Sequence, residues 1–242
     1  MYNSLTIEKN AHILIVAPHP DDETVGCGGV LAQYGKQCDI LLLTDGRKGT
    51  PEGGSRSEAE TAALRAEEFE AVAAFFRVRS FRALSLPDSE LAANAKAVFG
   101  FDLRNYDLIF VPNRNERHPD HKAAYEMIRR MCARQRASAE LIEYEVWSPI
   151  VRPNRFLDIS GCMSVKCEGL AMYASQLSEI DYKALVLGLN SYRGAPHHLQ
   201  YCEAYYSELA DRQQKRIDRI DSLPSGVRRS MRAVKRFLRG KA

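Results

Sequence analysis

The sequence predicts an α/β fold built on a mainly parallel sheet. Two patterns predict it. Short apolar runs rich in branched residues alternate with longer helical patterns along the chain. Polar residues able to carry chemistry fall just after the strand candidates, where open α/β sheets bind their ligands. The 242 residues suffice for one large domain or two small ones, with a sizeable core. The balance of 45% hydrophobic and 27% charged residues excludes a wholly disordered, collagen-like or disulfide-scaffold chain.

The elements follow in order. His12 to Ala17 is apolar and β-branched, and reads as a buried strand. A polar, glycine-rich stretch from Pro18 to Gly29 follows it, then an apolar-periodic segment to Tyr34. Cys38 to Thr44 is the second strand, stopped by the turn signal Asp45-Gly46. Ser57 to Arg77 is rich in Ala and Glu, lacks Pro and Gly, and reads as a helix. Phe81 to Leu86 and Asp107 to Val111 are strands, each closed by a proline turn. A helix is expected over 120–136, strands over 141–147 and 156–159, and helices over 166–173 and 179–191. No repeat and no linker divides residues 1–210. Residues 211–242 stand apart as a basic tail.

That tail carries eleven Lys/Arg against three Asp, about +8, so residues 1–210 carry about −5 of the net +3. Val227, Met231, Val234 and Leu238 recur at helical spacing among arginines and lysines. Such a basic amphipathic helix suits an anionic lipid surface. It also suits nucleic acid, the least favoured partner, or simply a solvated or docked terminus. The six cysteines show no C-x-x-C spacing and read as reduced thiols. No apolar run approaches a membrane span. MYNSLTIEKN lacks the apolar core of a signal peptide. The expected location is cytoplasmic, with the inner membrane face within reach of the tail.

Chemistry concentrates in two loops. Pro18-His19-Pro20-Asp21-Asp22-Glu23 follows the first strand, and Asn113 to His121, ending His118-Pro119-Asp120-His121, follows the fourth. Three of the six histidines lie there. His19, Asp22 and His121 form a His₂Asp set of the kind catalytic zinc uses, with one position left for water. Zinc lowers the pKa of that water towards about 7. Asp21, beside a ligand, is the candidate base. His118 is free to donate a hydrogen bond to a developing oxyanion or a proton to a leaving amine. A competing structural reading makes both acidic stretches simple helix starts.

These residues carry a family resemblance. Val16-Ala17-Pro18-His19-Pro20-Asp21-Asp22-Glu23, Gly26-Cys27-Gly28-Gly29 and His118-Pro119-Asp120-His121 closely resemble the PIG-L/LmbE-like zinc-dependent deacetylases. Thr44-Asp45-Gly46, Arg65-Ala66-Glu67-Glu68, Leu86-Pro87-Asp88 and Tyr201-Cys202-Glu203-Ala204-Tyr205-Tyr206 support it in order. The resemblance implies a Rossmann-like (LmbE-like) twisted sheet flanked by helices. It also implies removal of acetyl from an N-acetylglucosamine unit on a small-molecule or lipid-linked conjugate. It implies zinc on His19, Asp22 and His121, Asp21 as general base, and His118 at the oxyanion or amine with Asp120 tuning its charge. Iron(II) could occupy a similar ligand set. Arg65 and Asp88 match family positions that hydrogen-bond sugar hydroxyls. A helix-surface ion pair and a turn-forming Asp are the competing structural readings.

Other residues carry weaker signals. Arg47 and Lys48 could meet a substrate phosphate or form a solvated loop. His197 and His198 could approach the site from the C-terminal half. His12 reads as structural, and Trp147 as core or interface rather than a sugar platform. Gly26 to Gly29 lacks the third glycine of a dinucleotide fingerprint and reads as close packing of helix on sheet. Two rival functions remain: hydrolysis of another amide, such as an acyl-glycopeptide or aminoglycoside, and non-catalytic sugar binding.

Overall fold

The structure is a computed structural model that describes residues 3–50 and 54–221. Among these, the strands are β1 (Ile13–Ala17), β2 (Cys38–Thr44), β3 (Ser80–Leu86), β4 (Leu108–Pro112), β5 (Glu140–Tyr144), β6 (Arg155–Asp158) and β7 (Cys202–Ser207). The helices are α1 (Asp22–Tyr34), α2 (Glu58–Phe75), α3 (Pro119–Gln135), α4 (Met163–Ala171), α5 (Tyr182–Gly194) and α6 (Glu208–Asp221). One sheet runs in the order β3-β2-β1-β4-β5-β7-β6. Strands β1 to β5 pair in parallel, while β7 lies antiparallel to both β5 and β6. The sheet is thus mainly parallel, as expected, with an antiparallel edge. Nothing in the sequence marked Cys202–Ser207 as a strand, because Glu203 and Ser207 interrupt its apolar pattern.

Both faces of the central strands β1, β2 and β4 are buried, which explains their apolar runs, while β3 at the sheet edge is largely exposed. Side chains alternate across a strand. Ile13, Ile15 and Ala17 join one core with Leu31, Phe69 and Phe110. Leu14 and Val16 join the other with Tyr125, Ile128 and Met131 of α3. Helix α2 begins at a capping box: the Ser57 hydroxyl accepts from the Glu60 N–H, and the Glu60 carboxylate accepts from the Ser57 N–H.

The polar, glycine-rich stretch from Pro18 to Gly29 is largely helical, because α1 already starts at Asp22. Its glycines let it sit close to its neighbours. A Cβ on Gly26 would lie 2.1 Å from the Tyr144 ring, and one on Gly29 2.2 Å from Ile159. The helix leaves helical geometry at Cys27, and the Gly29 N–H donates to the buried Glu203 carboxylate at 2.8 Å. Lys166 and Tyr205 satisfy the same carboxylate, at 2.7 and 2.5 Å. The six cysteines are free thiols.

The chain divides into units 1–207 and 208–242. In the second, α6 carries an i,i+4 pair between Arg212 and Glu208. The amphipathic pattern from Val227 to Leu238 lies outside the described residues. Among the described residues no helix is long and apolar enough to cross a membrane.

Candidate active site

The sheet order reverses between β1 and β4, whose following turns bring the two His-Pro-Asp segments together. Nδ1 of His19 and Nε2 of His121 each lie 3.1 Å from Oδ2 of Asp22, and 3.3 Å from each other. These three atoms form a near-equilateral triangle. A tetrahedral ion with bonds of about 2.0 Å has ligand–ligand edges of about 3.3 Å, so the donor set and its spacing fit zinc. All three side chains are buried. Burial alone would discharge His121, but the Asp22 carboxylate outweighs it and lifts the ring to about 9. Burial likewise works against the Asp22 charge, yet His121 and His19 hold its carboxyl well below the usual range.

Asp21 occupies the N-cap position of α1 but does not cap it with its side chain. It sits at φ 114° before α1, a region unfavourable to a non-glycine residue, and its side chain caps no N–H of the helix. Its Oδ2 instead accepts from Arg65 at 3.0 Å and from the Tyr182 hydroxyl at 2.6 Å. Burial pushes its carboxyl up to about 6, against the pull of Arg65. Asp120 is not a cap either. His118 takes that position in α3, its Nδ1 accepting from the Asp120 N–H at 3.2 Å. That bond places the proton of a neutral His118 ring on Nε2. Burial and the neighbouring His19 and His121 hold His118 below the ordinary histidine value, which favours the neutral donor. The Asp120 carboxylate contacts His19 Nε2 (3.2 Å) and accepts from the Ser89 and Leu91 N–H groups. Asp120 is linked to His118 through its backbone N–H, and its charge also pulls the His118 ring upward, against burial and the two neighbouring histidines.

Arg65 is buried rather than on a helix surface. Besides Asp21 it donates to the carbonyls of Pro20 and Gly46. Its guanidinium is committed to Asp21 and the turn around it. Asp88 Oδ1 lies 3.2 Å from His19 Nε2, and Oδ2 accepts from the Lys48 N–H. Arg47 pairs with Asp45. A cavity of about 200 Å³ opens over this cluster, lined by His19, Asp21, Asp22, Arg65, Asp88 and His118 together with Lys48, Trp147 and Tyr182. His197 does not line it and instead meets the Phe156 ring, on β6. His12 bonds the Asn105 carbonyl, as a structural residue would.

Two contributors carried no sequence signal. Tyr182 reaches Asp21 from 161 residues away. Glu116, fully buried, holds Oε2 3.7 Å from Nδ1 of His121, and neither atom has a hydrogen-bond partner among the described residues. Its Oε1 accepts from the N–H groups of Val146, Trp147 and Ser148, each at 3.1 Å. Glu116 lay inside the loop singled out from sequence, but only the fold turns it towards His121.

Fold and site together define an α/β protein with a buried His₂Asp cluster at the switch point of its sheet, suited to a divalent metal. Residues 14–132 match the family model PIG-L, GlcNAc-PI de-N-acetylase. Over that segment the chain is similar to this PIG-L/LmbE-like family. Diacetylchitobiose deacetylase of Thermococcus kodakarensis is 29% identical over 189 residues, covering 69% of this chain and 70% of that protein. The structure of N,N′-diacetylchitobiose deacetylase from Pyrococcus horikoshii superposes with a TM-score of 0.72 at 22% identity, covering 84% and 85% of the two chains. GalB, the 4-carboxy-2-hydroxymuconate hydratase from Pseudomonas putida, shares the fold with a TM-score of 0.64 at 18% identity, covering 82% and 96%. Fold alone therefore does not set the reaction, and the site must.

Proposed function

We propose that the protein is a metal-dependent hydrolase that removes the N-acetyl group from an N-acetylglucosamine-type sugar conjugate. The observation that carries this is the triangle of His19, Asp22 and His121 beside the buried carboxylate of Asp21, with His19, Asp21 and Asp22 lining one cavity. The deacetylase relative supports the choice of bond. His19, Asp22 and His121 would hold the ion, zinc by ligand type, with iron(II) as the alternative. A bound divalent ion supplies Lewis acidity and lowers the pKa of a water molecule.

The remaining roles belong to the chain. Asp21 spends Oδ2 on Arg65 and Tyr182, which leaves Oδ1 to take the proton of the attacking water. Oxygen adds to the acetyl carbonyl carbon. His118, neutral and protonated on Nε2, donates to the carbonyl oxygen as negative charge develops there. Asp21 then passes its proton to the amine nitrogen as the C–N bond breaks, and acetate and a free amino sugar leave. Arg65 and Asp88 act as positioning residues, Arg65 on Asp21 and Asp88 on His19. The test is acetate release from free, inositol-linked, nucleotide-linked and polyprenyl-linked N-acetylglucosamine. Release from one class, lost in Asp21→Asn, supports the reading. No release from any of them by metal-loaded protein contradicts it.

A further inference from the structure

We propose that Trp147 is the stacking platform for the substrate's sugar ring, and that the cavity beside it is a pyranose subsite. This rests on the function proposed above. By sequence Trp147 reads as core or interface rather than a sugar platform. The structure instead puts it 39% exposed on the cavity that holds His19, Asp21 and His118. Its ring centroid lies 6.4 Å from that of Tyr182, with 32° between the planes. The Tyr182 hydroxyl is the group bonded to Asp21. An aromatic surface therefore continues outward from the base.

Covering this exposed ring with an apolar face would recover the free energy its burial gives. The backbone of Trp147 is held in place. Its N–H, with those of Val146 and Ser148, converges on the buried Oε1 of Glu116. Asn113 ties the same turn through the Ser148 carbonyl at 2.8 Å. The backbone that carries the platform is thus tied down before ligand arrives, which lowers the cost of binding.

The rest of the cavity says what would cover it. In the sheet, β2 and β3 lie on one side of β1, while β4 and β5 lie on the other. The turns after β2 and β3 bring polar groups, Lys48, Asp88 and Ser89, and the turn after β5 brings Trp147. A pyranose has the matching pattern, a face of C–H groups and a rim of hydroxyls. The volume of about 200 Å³ is below that of pockets for drug-sized ligands and suits one sugar unit.

Trp147 is the sole tryptophan of the chain, so its emission reports this subsite alone. The test titrates full-length, zinc-loaded protein with methyl glucosaminide, which carries no amide to cleave. It titrates the Asp21→Asn variant with N,N′-diacetylchitobiose. Steady-state acetate release is measured for the wild type, Trp147→Ala and Trp147→Phe. The proposal predicts a saturable change in emission with either sugar. It also predicts a KM raised on the order of tenfold in Trp147→Ala with kcat held within about twofold, and largely recovered in Trp147→Phe. Asp21-dependent hydrolysis with silent emission and an unchanged KM overturns the platform and leaves the deacetylase standing. Saturable emission without hydrolysis keeps the platform and overturns the deacetylase. Emission that follows protein concentration and ignores both sugars overturns the platform in favour of an interface between copies of the chain.

Discussion

Asp21 and Asp22 are neighbours with opposite electrostatic fates. Asp22 faces two imidazoles and stays ionised, as a metal ligand must. Asp21 is pushed up to about 6 by burial, with Arg65 pulling the other way. A base must be ionised to act, so activity should fall below an acid limb set by Asp21. Arg65→Met removes the pull and should move that limb to higher pH in a kcat/KM profile. A limb that stays put would show that Arg65 does not act on Asp21. Glu116 faces the outer nitrogen of His121, the place where a carboxylate fixes the tautomer of a ligating histidine. Glu116→Gln should weaken zinc binding about 10- to 100-fold by chelator competition, a loss typical of such outer partners. The ligand residues were legible from the two His-Pro-Asp motifs. Glu116 and Tyr182 were not, because their roles depend on what the fold sets opposite them.

The element that aims this chemistry is α1. It starts at the first residue after Asp21 and packs close enough to the sheet to exclude a methyl group at Gly26. The Tyr144 ring opposite is tied down by its hydroxyl, which donates to the Val16 carbonyl at 2.8 Å. Gly26→Ala should therefore overpack, costing about 1–3 kcal/mol and lowering Tm by roughly 2–10 °C in thermal unfolding. The sequence reading anticipated close packing at these glycines. It began the helix too late, because glycines and acids weaken the apolar period of its first turns. Strands β1 and β2 were legible to within a residue or two, since uninterrupted apolar runs mark fully buried strands, and β3, largely exposed at the sheet edge, was marked instead by the proline turn that closes it. Strand β7 was hidden by the polar residues within it, such as Glu203, whose carboxylate accepts from Lys166.

At the scale of the whole molecule, the region under the site buries charge as well as apolar surface. Glu23, on α1, is fully buried and accepts from Thr24 and Tyr173, each at 2.6 Å. Burial still pushes its carboxyl up from 4.5 to about 7. The folded state thus holds this proton more tightly than the unfolded chain. Its contribution to stability is complete below about pH 4.5 and lost as pH rises through about 7. Glu23→Gln should flatten that decline when stability by chemical denaturation is measured against pH. An unchanged slope would assign the decline to other groups. The reversal of strand order between β1 and β4 explains why motifs about 100 residues apart meet, and why the sequence could place them at one edge before any contact was known.

The central claim is hydrolysis that needs both the metal triangle and Asp21. It is tested most directly by acetate release from N,N′-diacetylchitobiose by metal-stripped protein titrated back with zinc, wild type beside Asp21→Asn. The account predicts that activity returns with about one equivalent of zinc in the wild type, and that Asp21→Asn, binding the same zinc, stays on the order of 10²- to 10⁴-fold lower. Stripped protein as active as reloaded protein, or Asp21→Asn as active as the wild type, would contradict it.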